Sequence, residues 1–107
     1  MLFYLQMRWN FEGRLSQDQL WDLEAKETEH AQETIDNGIV KGIWKVAGQR
    51  RVICVCDLPS AEELDRALMG RLPMHEYLEF EAIWPLRDYQ GFAEDVKKHY
   101  RFEDENA

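Results

Sequence analysis

The sequence predicts an α+β domain in which four antiparallel strands carry two helices on one face, followed by a C-terminal extension. Three observations predict it. Apolar residues alternate along residues 2–9 and 76–84. Ser16 and Ser60 each precede a helical pattern as capping-box serines. Gly48-Gln49 marks a tight hairpin between two β-rich runs.

Residues 2–9 read as a strand, with Phe3, Leu5, Met7 and Trp9 on one face and Leu2, Tyr4, Gln6 and Arg8 on the other. Asn10 to Gly13 make a turn. Ser16 with Gln19 opens a long helix, and Asp18 suits its positive N-terminal end. The helical period runs to about Asn37, and Gly38 stops it. Residues 39–47 and 51–57 form two strands joined by the Gly48-Gln49 turn. Ser60 and Glu63 cap a second helix, whose inward residues are Leu64, Ala67 and Leu68.

The last strand places Leu78, Phe80, Ala82 and Trp84 on one face and Glu79 and Glu81 on the other, and Pro85 is expected to end it. A short amphipathic helix is expected within 88–100, through Tyr89, Phe92, Val96 and Tyr100, and a disordered acidic tail over 101–107. The order β-α-β-β-α-β is the ferredoxin-like arrangement. It assigns residues 1–87 to the domain and 88–107 to the extension. Tyr4, Tyr77 and Ile83 are expected on the uncovered sheet face, which implies a dimer or larger assembly packed through its sheets, as in dimeric α+β barrels.

Composition narrows the function. With 45% hydrophobic and 32% charged residues, the chain fits a soluble globular class. A net charge of −8 argues against nucleic acid and anionic membranes as partners, because both demand basic surface. The N-terminus lacks the ordered basic, apolar and cleavage segments of a signal peptide, so a cytoplasmic location is expected. Cys54 and Cys56 read as buried thiols. No His or Cys spacing points to a metal.

One residue breaks the core pattern. The inward stripe of the first helix reads Leu20, Leu23, Glu27, Ala31 and Ile35. A glutamate there is either an edge charge or a carboxylate facing a cavity, where burial would suit it to proton transfer near neutral pH. Glu24 and Glu29 lie off this stripe and read as solvated. The acid-free stretch 41–51 offers Lys41, Lys45 and Arg51 as anion anchors, with Arg51 preferred, or else only a solvated hairpin. Alternation puts Lys41 and Lys45 on one face of their strand and Trp44 on the other.

Leu23-Glu24-Ala25-Lys26-Glu27, Ala31-Gln32, Gly38, Ile43-Trp44-Lys45-Val46-Ala47-Gly48, Asp57-Leu58-Pro59-Ser60, Leu68-Met69 and Leu72-Pro73 appear in this order. Together with Met1-Leu2-Phe3 and Met7 they resemble the muconolactone Δ-isomerase family over about residues 1–85, with one inserted residue near Gly70-Arg71. The resemblance implies a ferredoxin-like subunit in an assembly up to a decamer, using no cofactor and no metal. It implies a shift of the ring double bond of muconolactone, giving 3-oxoadipate enol-lactone in bacterial aromatic degradation. Glu27 matches the family's helix glutamate and would shuttle the proton; Trp44 matches its strand tryptophan and would wall the pocket.

The chain departs from the family pattern at Tyr4 and Gln49, where histidines are usual. It departs again at Val52 and Cys54, where Asn and Ser are usual. Tyr4 could replace its histidine as a donor to an enolate oxygen. Another enzyme on this fold, such as a lactone dehalogenase or a cofactor-free oxygenase, and a non-catalytic binding protein remain open at this point.

Overall fold

Alternation along the first strand sets both faces of the sheet. In β1 (Leu2–Trp9), Phe3, Leu5, Met7 and Trp9 are buried under the helices, while Tyr4, Gln6 and Arg8 point to the other side. The computed structural model describes residues 1–101. After β1 come α1 (Gln17–Asp36), β2 (Val40–Lys45), β3 (Arg51–Asp57), α2 (Ala61–Arg66), β4 (Leu78–Leu86) and α3 (Tyr89–Lys97). The sheet order is β2-β3-β1-β4, and every neighbouring pair is antiparallel.

The helix starts follow the sequence signals. Ser16 accepts from the Gln19 N–H while the Gln19 side chain accepts from the Ser16 N–H, a complete capping box. At Ser60 only half of the box forms: the hydroxyl accepts from the Glu63 N–H, but the Glu63 carboxylate turns to Arg66 and Arg71. Two guanidinium partners outcompete one backbone donor for a carboxylate. Beyond α2 the chain widens into a π-turn, Ala67–Arg71, closed by the Leu72 N–H to the Ala67 carbonyl. A short 3₁₀ turn, His75–Tyr77, then leads into β4.

Several local expectations are corrected. The β2–β3 turn centres on Ala47-Gly48, since the Gln49 N–H bonds the Val46 carbonyl and Gly48 takes the left-handed φ of +73°. Pro85 does not end β4. The strand runs on to Leu86, because β4 is an edge strand and needs no donor on its open side.

A register shift in β4 reverses the alternation after Phe80. Phe80 pairs with Met7 on the inner face, whereas Ala82 and Trp84 pair with Gln6 and Tyr4 on the outer face. Ile83 therefore sits opposite Leu5, on the helix side of the sheet. Tyr77 is also inside the helix layer, with the Arg14 guanidinium 4.4 Å from its ring. A second shift lies between Val40 and Gly42 in β2, so Lys41 does not follow the alternation of Ile43 and Lys45. The expected acidic tail falls mainly on 102–107, outside the described residues.

The core forms two clusters. Phe3, Leu5, Met7, Cys54 and Cys56 meet Leu64 and Leu68 from the α2 region. Trp9 and Phe11 meet Leu20 and Met74. Leu20 is the one buried residue of α1, and Trp21 beside it stands edge-on to Trp9 at 5.7 Å. This anchors the first turn of α1 on the sheet. Farther along, Glu24, Glu27, Thr28 and Ala31 are too polar or too small to close the gap between helix and sheet. Leu20→Ala should therefore cost roughly 3 kcal/mol in urea unfolding, and Leu23→Ala, at a half-buried position, clearly less.

Candidate active site

The gap beneath α1 is a cavity of about 300 Å³. Its floor is Met7, Trp9, Val52 and Leu78 from the sheet, and its roof includes Glu24, Glu27 and Ala31. Lys45 and Trp44 stand at its rim on β2. A smaller cavity of about 100 Å³ continues toward α2, past His30, Cys54 and Cys56, and Glu27 borders both spaces. Most of the lining is apolar. The polar groups it contains come chiefly from one face of α1 and from Lys45.

Glu27 is held in place across the fold. Its Oε2 accepts a hydrogen bond of 3.0 Å from the Met74 N–H. Met74 is wholly buried, so this donor is fixed by the packing around it. Burial pushes the Glu27 carboxyl above the ordinary carboxylate range; the Met74 N–H and the positive potential of His30 and His75 oppose that rise. The result is a half-buried base with one oxygen anchored and its other oxygen outside that bond.

Glu24 lies one helical turn before Glu27 and lines the same cavity. Its Oε2 is buried and has no hydrogen-bond partner among the described residues. Burial first, and the neighbouring Glu27 charge second, push its pKa up to about 7. The sequence reading of Glu24 as solvated is thus corrected. The inward stripe is wider than Leu23 and Glu27: position 24 is four beyond Leu20 and three before Glu27, and that spacing is the signal in the sequence that brings it inward.

The other predicted site residues divide. Lys45 reaches the cavity; its Nζ donates to the Val46 carbonyl at 2.8 Å and lies 5.8 Å from the Trp9 ring centre. It also borders a shallow depression that contains Arg50 and Trp21. Trp44 meets the rim, but its ring folds back over Gly42, where an added Cβ would collide with the indole. It remains 56% exposed, so it edges the pocket more than it walls it.

Lys41 does not line the cavity: it sits at the β2 irregularity, close enough to Asp57 to help lower that carboxyl's pKa. Tyr4 and Arg51 are on the outer face. The Tyr4 hydroxyl donates to Gln6 Oε1 at 3.2 Å, and its ring stacks on Trp84. Arg51 pairs with both oxygens of Glu81, at 2.8 and 3.0 Å. Within one subunit neither reaches Glu27, because successive strand residues point to opposite faces. Of the positions that depart from the family pattern, Val52 lines the main cavity and Cys54 the smaller one. Among the described residues no cluster has a metal-binding donor set.

The raised carboxyls make stability depend on pH. A carboxyl whose folded pKa lies above its unfolded value binds its proton more tightly when folded. Its contribution is full below the ordinary carboxylate range and is lost as pH rises through the folded pKa. For Glu24 that window runs from about 4.5 to about 7. Glu24→Gln should therefore stabilise the protein at alkaline pH, by about 1 to 2 kcal/mol after discounting for partial solvent access, and should flatten the pH dependence of urea unfolding.

Comparison with known proteins places this geometry. The family model for muconolactone delta-isomerase matches residues 1–91. The muconolactone delta-isomerase of Acinetobacter baylyi is 31% identical over 83 residues, covering 78% of this chain and 85% of its own. That of Pseudomonas aeruginosa is 33% identical over 81 residues, covering 76% and 83%. A crystal structure of muconolactone isomerase superposes with a TM-score of 0.71 at 31% identity, over 82% of this chain and 90% of that one. A cavity roofed by a helix glutamate, on a βαββαβ frame that superposes on a solved isomerase, agrees with the sequence match, and the chain belongs to the muconolactone Δ-isomerase family.

Proposed function

We propose that this protein shifts the ring double bond of muconolactone, or of a closely related small anionic lactone, by proton transfer at Glu27, within bacterial aromatic degradation in the cytoplasm. The observation that carries this reading is the half-buried Glu27 carboxylate at the junction of an apolar cavity, anchored by the Met74 N–H. Moving a double bond next to a lactone carbonyl requires a proton to leave one ring carbon and return to another. A single carboxylate can do both. In the first step the C–H electron pair passes into the conjugated system, and charge collects on the carbonyl oxygen as a dienolate. In the second step the protonated Glu27 returns the proton to the other carbon, and the carboxylate is regenerated. No redox step occurs, so the reaction needs no cofactor.

The apolar floor raises the basicity of Glu27 by withholding water from it. Lys45 at the rim is suited to the substrate's free carboxylate, since a cation there lies toward solvent at the cavity mouth. Trp44 at the rim would bound the entrance. The outer sheet face, with Tyr4 stacked on Trp84 and Trp84 58% exposed, is suited to pack against a second copy.

Two measurements test the site. Glu27→Gln should keep its fold by circular dichroism and lose kcat by about a thousandfold in an ultraviolet assay of muconolactone isomerisation. Equal activity would remove Glu27 from the mechanism. Lys45→Met should raise KM by roughly tenfold or more with little change in kcat, as loss of a uniform binding contact does. A fall in kcat at constant KM would contradict the anchoring role.

A further inference from the structure

Glu24 is left over by a mechanism that runs on Glu27 alone. It is a second carboxyl group in the same cavity, on the same face of α1, with a buried Oε2 that has no hydrogen-bond partner among the described residues. A buried carboxyl oxygen without a partner costs free energy, and a protonated carboxyl at this position has a hydrogen to offer an acceptor in the cavity. Two carboxylates one turn apart also repel each other, and the pair is eased when one of them keeps its proton.

We propose that Glu24 is a second catalytic group, which in its protonated form donates a hydrogen bond from the half-buried carboxyl to the lactone carbonyl oxygen as negative charge develops there. This rests on the isomerase reading above and supplies the donor that reading lacks. The two carboxyls divide the work. Glu27, held by the Met74 N–H, is the more easily ionised and takes the proton from carbon. Glu24 has no such donor and is pushed up to about 7, so it retains a proton where Glu27 acts as a base. The proton of Glu24 stays on Glu24 throughout. It is shared with the dienolate oxygen and is not transferred, so the net reaction remains an isomerisation. Oriented donors at a developing oxyanion are among the largest catalytic contributions known in enzymes.

The surroundings of Glu24 decide its titration. On α1 the charged group facing it is Glu27, and from β2 the cavity contributes Lys45 at the rim. The strands beneath contribute Met7 and Trp9 from β1, Val52 from β3 and Leu78 from β4, none of which titrates. The anchoring segment after α2 places His75 near Glu27, where its effect is on Glu27.

The test compares wild type, Glu24→Gln and Glu24→Leu in muconolactone isomerisation across about pH 5.5 to 9. Wild-type kcat/KM should fall on the alkaline side above about 7, as Glu24 loses its proton. Glu24→Gln keeps an N–H donor that does not titrate. It should stay within about tenfold of wild type at neutral pH and lose the alkaline fall. Glu24→Leu keeps the bulk and removes the donor, so it should lose roughly a hundredfold in kcat/KM.

Wild-type activity in Glu24→Leu, or an unchanged alkaline fall in Glu24→Gln, would overturn the assignment. Loss of activity in Glu27→Gln but not in Glu24→Leu sinks this inference and leaves the isomerase reading intact. If wild type does not turn over muconolactone, that substrate reading fails by itself. Binding of 3-hydroxyphenylacetate, whose phenol oxygen and carboxymethyl group imitate the dienolate and its side chain, then decides Glu24. Glu24→Leu should bind it about tenfold more weakly than Glu24→Gln, and equal affinity would overturn the assignment.

Discussion

The hydrogen bond from the Met74 N–H to Glu27 ties the middle of α1 to the rest of the fold. Without it, a carboxylate in an apolar gap would be neutral or would swing to solvent. With it, one oxygen is fixed at 3.0 Å from a fully buried backbone and the carboxylate is held at the cavity. The donor comes from the segment between α2 and β4, so the position of Glu27 depends on how that segment is threaded. The π-turn at Ala67–Arg71 lies just before it. A wide turn takes up an additional residue within one helical turn, so the chain beyond it still reaches α1.

The cavity exists because apolar packing anchors α1 at one end only. Leu20 and Trp21 hold the first turns against Trp9, and the polar and small residues that follow leave space over Met7 and Val52. The same choice of residues leaves the middle of the helix poorly packed and places two carboxylates in low dielectric. Stability is given up there, and proton chemistry near neutral pH becomes available. The outer face of the sheet follows a different rule. Arg51 with Glu81 and Tyr4 with Trp84 occupy it with paired side chains, away from the cavity.

Much of the fold was legible in the sequence. The alternation of Phe3, Leu5, Met7 and Trp9, the capping box at Ser16 and the stop at Gly38 are local signals, and each acts within a few residues. The errors arose where a local rule met a neighbour out of sequence. Pro85 ends a central strand but not an edge strand, and edge position is a property of the whole sheet. The shifts in β2 and β4 each reversed a face, since one additional residue in a strand turns every later side chain over.

Sequence alone determined that position 27 carries a carboxylate on the inward side of a helix, and the family resemblance added a proton-transfer role. Helical period fixes direction within one element. It could not supply Met74 as the donor, because that contact spans 47 residues. Nor could it show that Glu24 is half-buried, since whether the edge of a helical stripe meets solvent depends on how closely the sheet approaches. The tertiary structure also decided that Lys45 reaches the cavity while Tyr4 and Arg51 do not, because the sheet has two faces and helices cover only one of them.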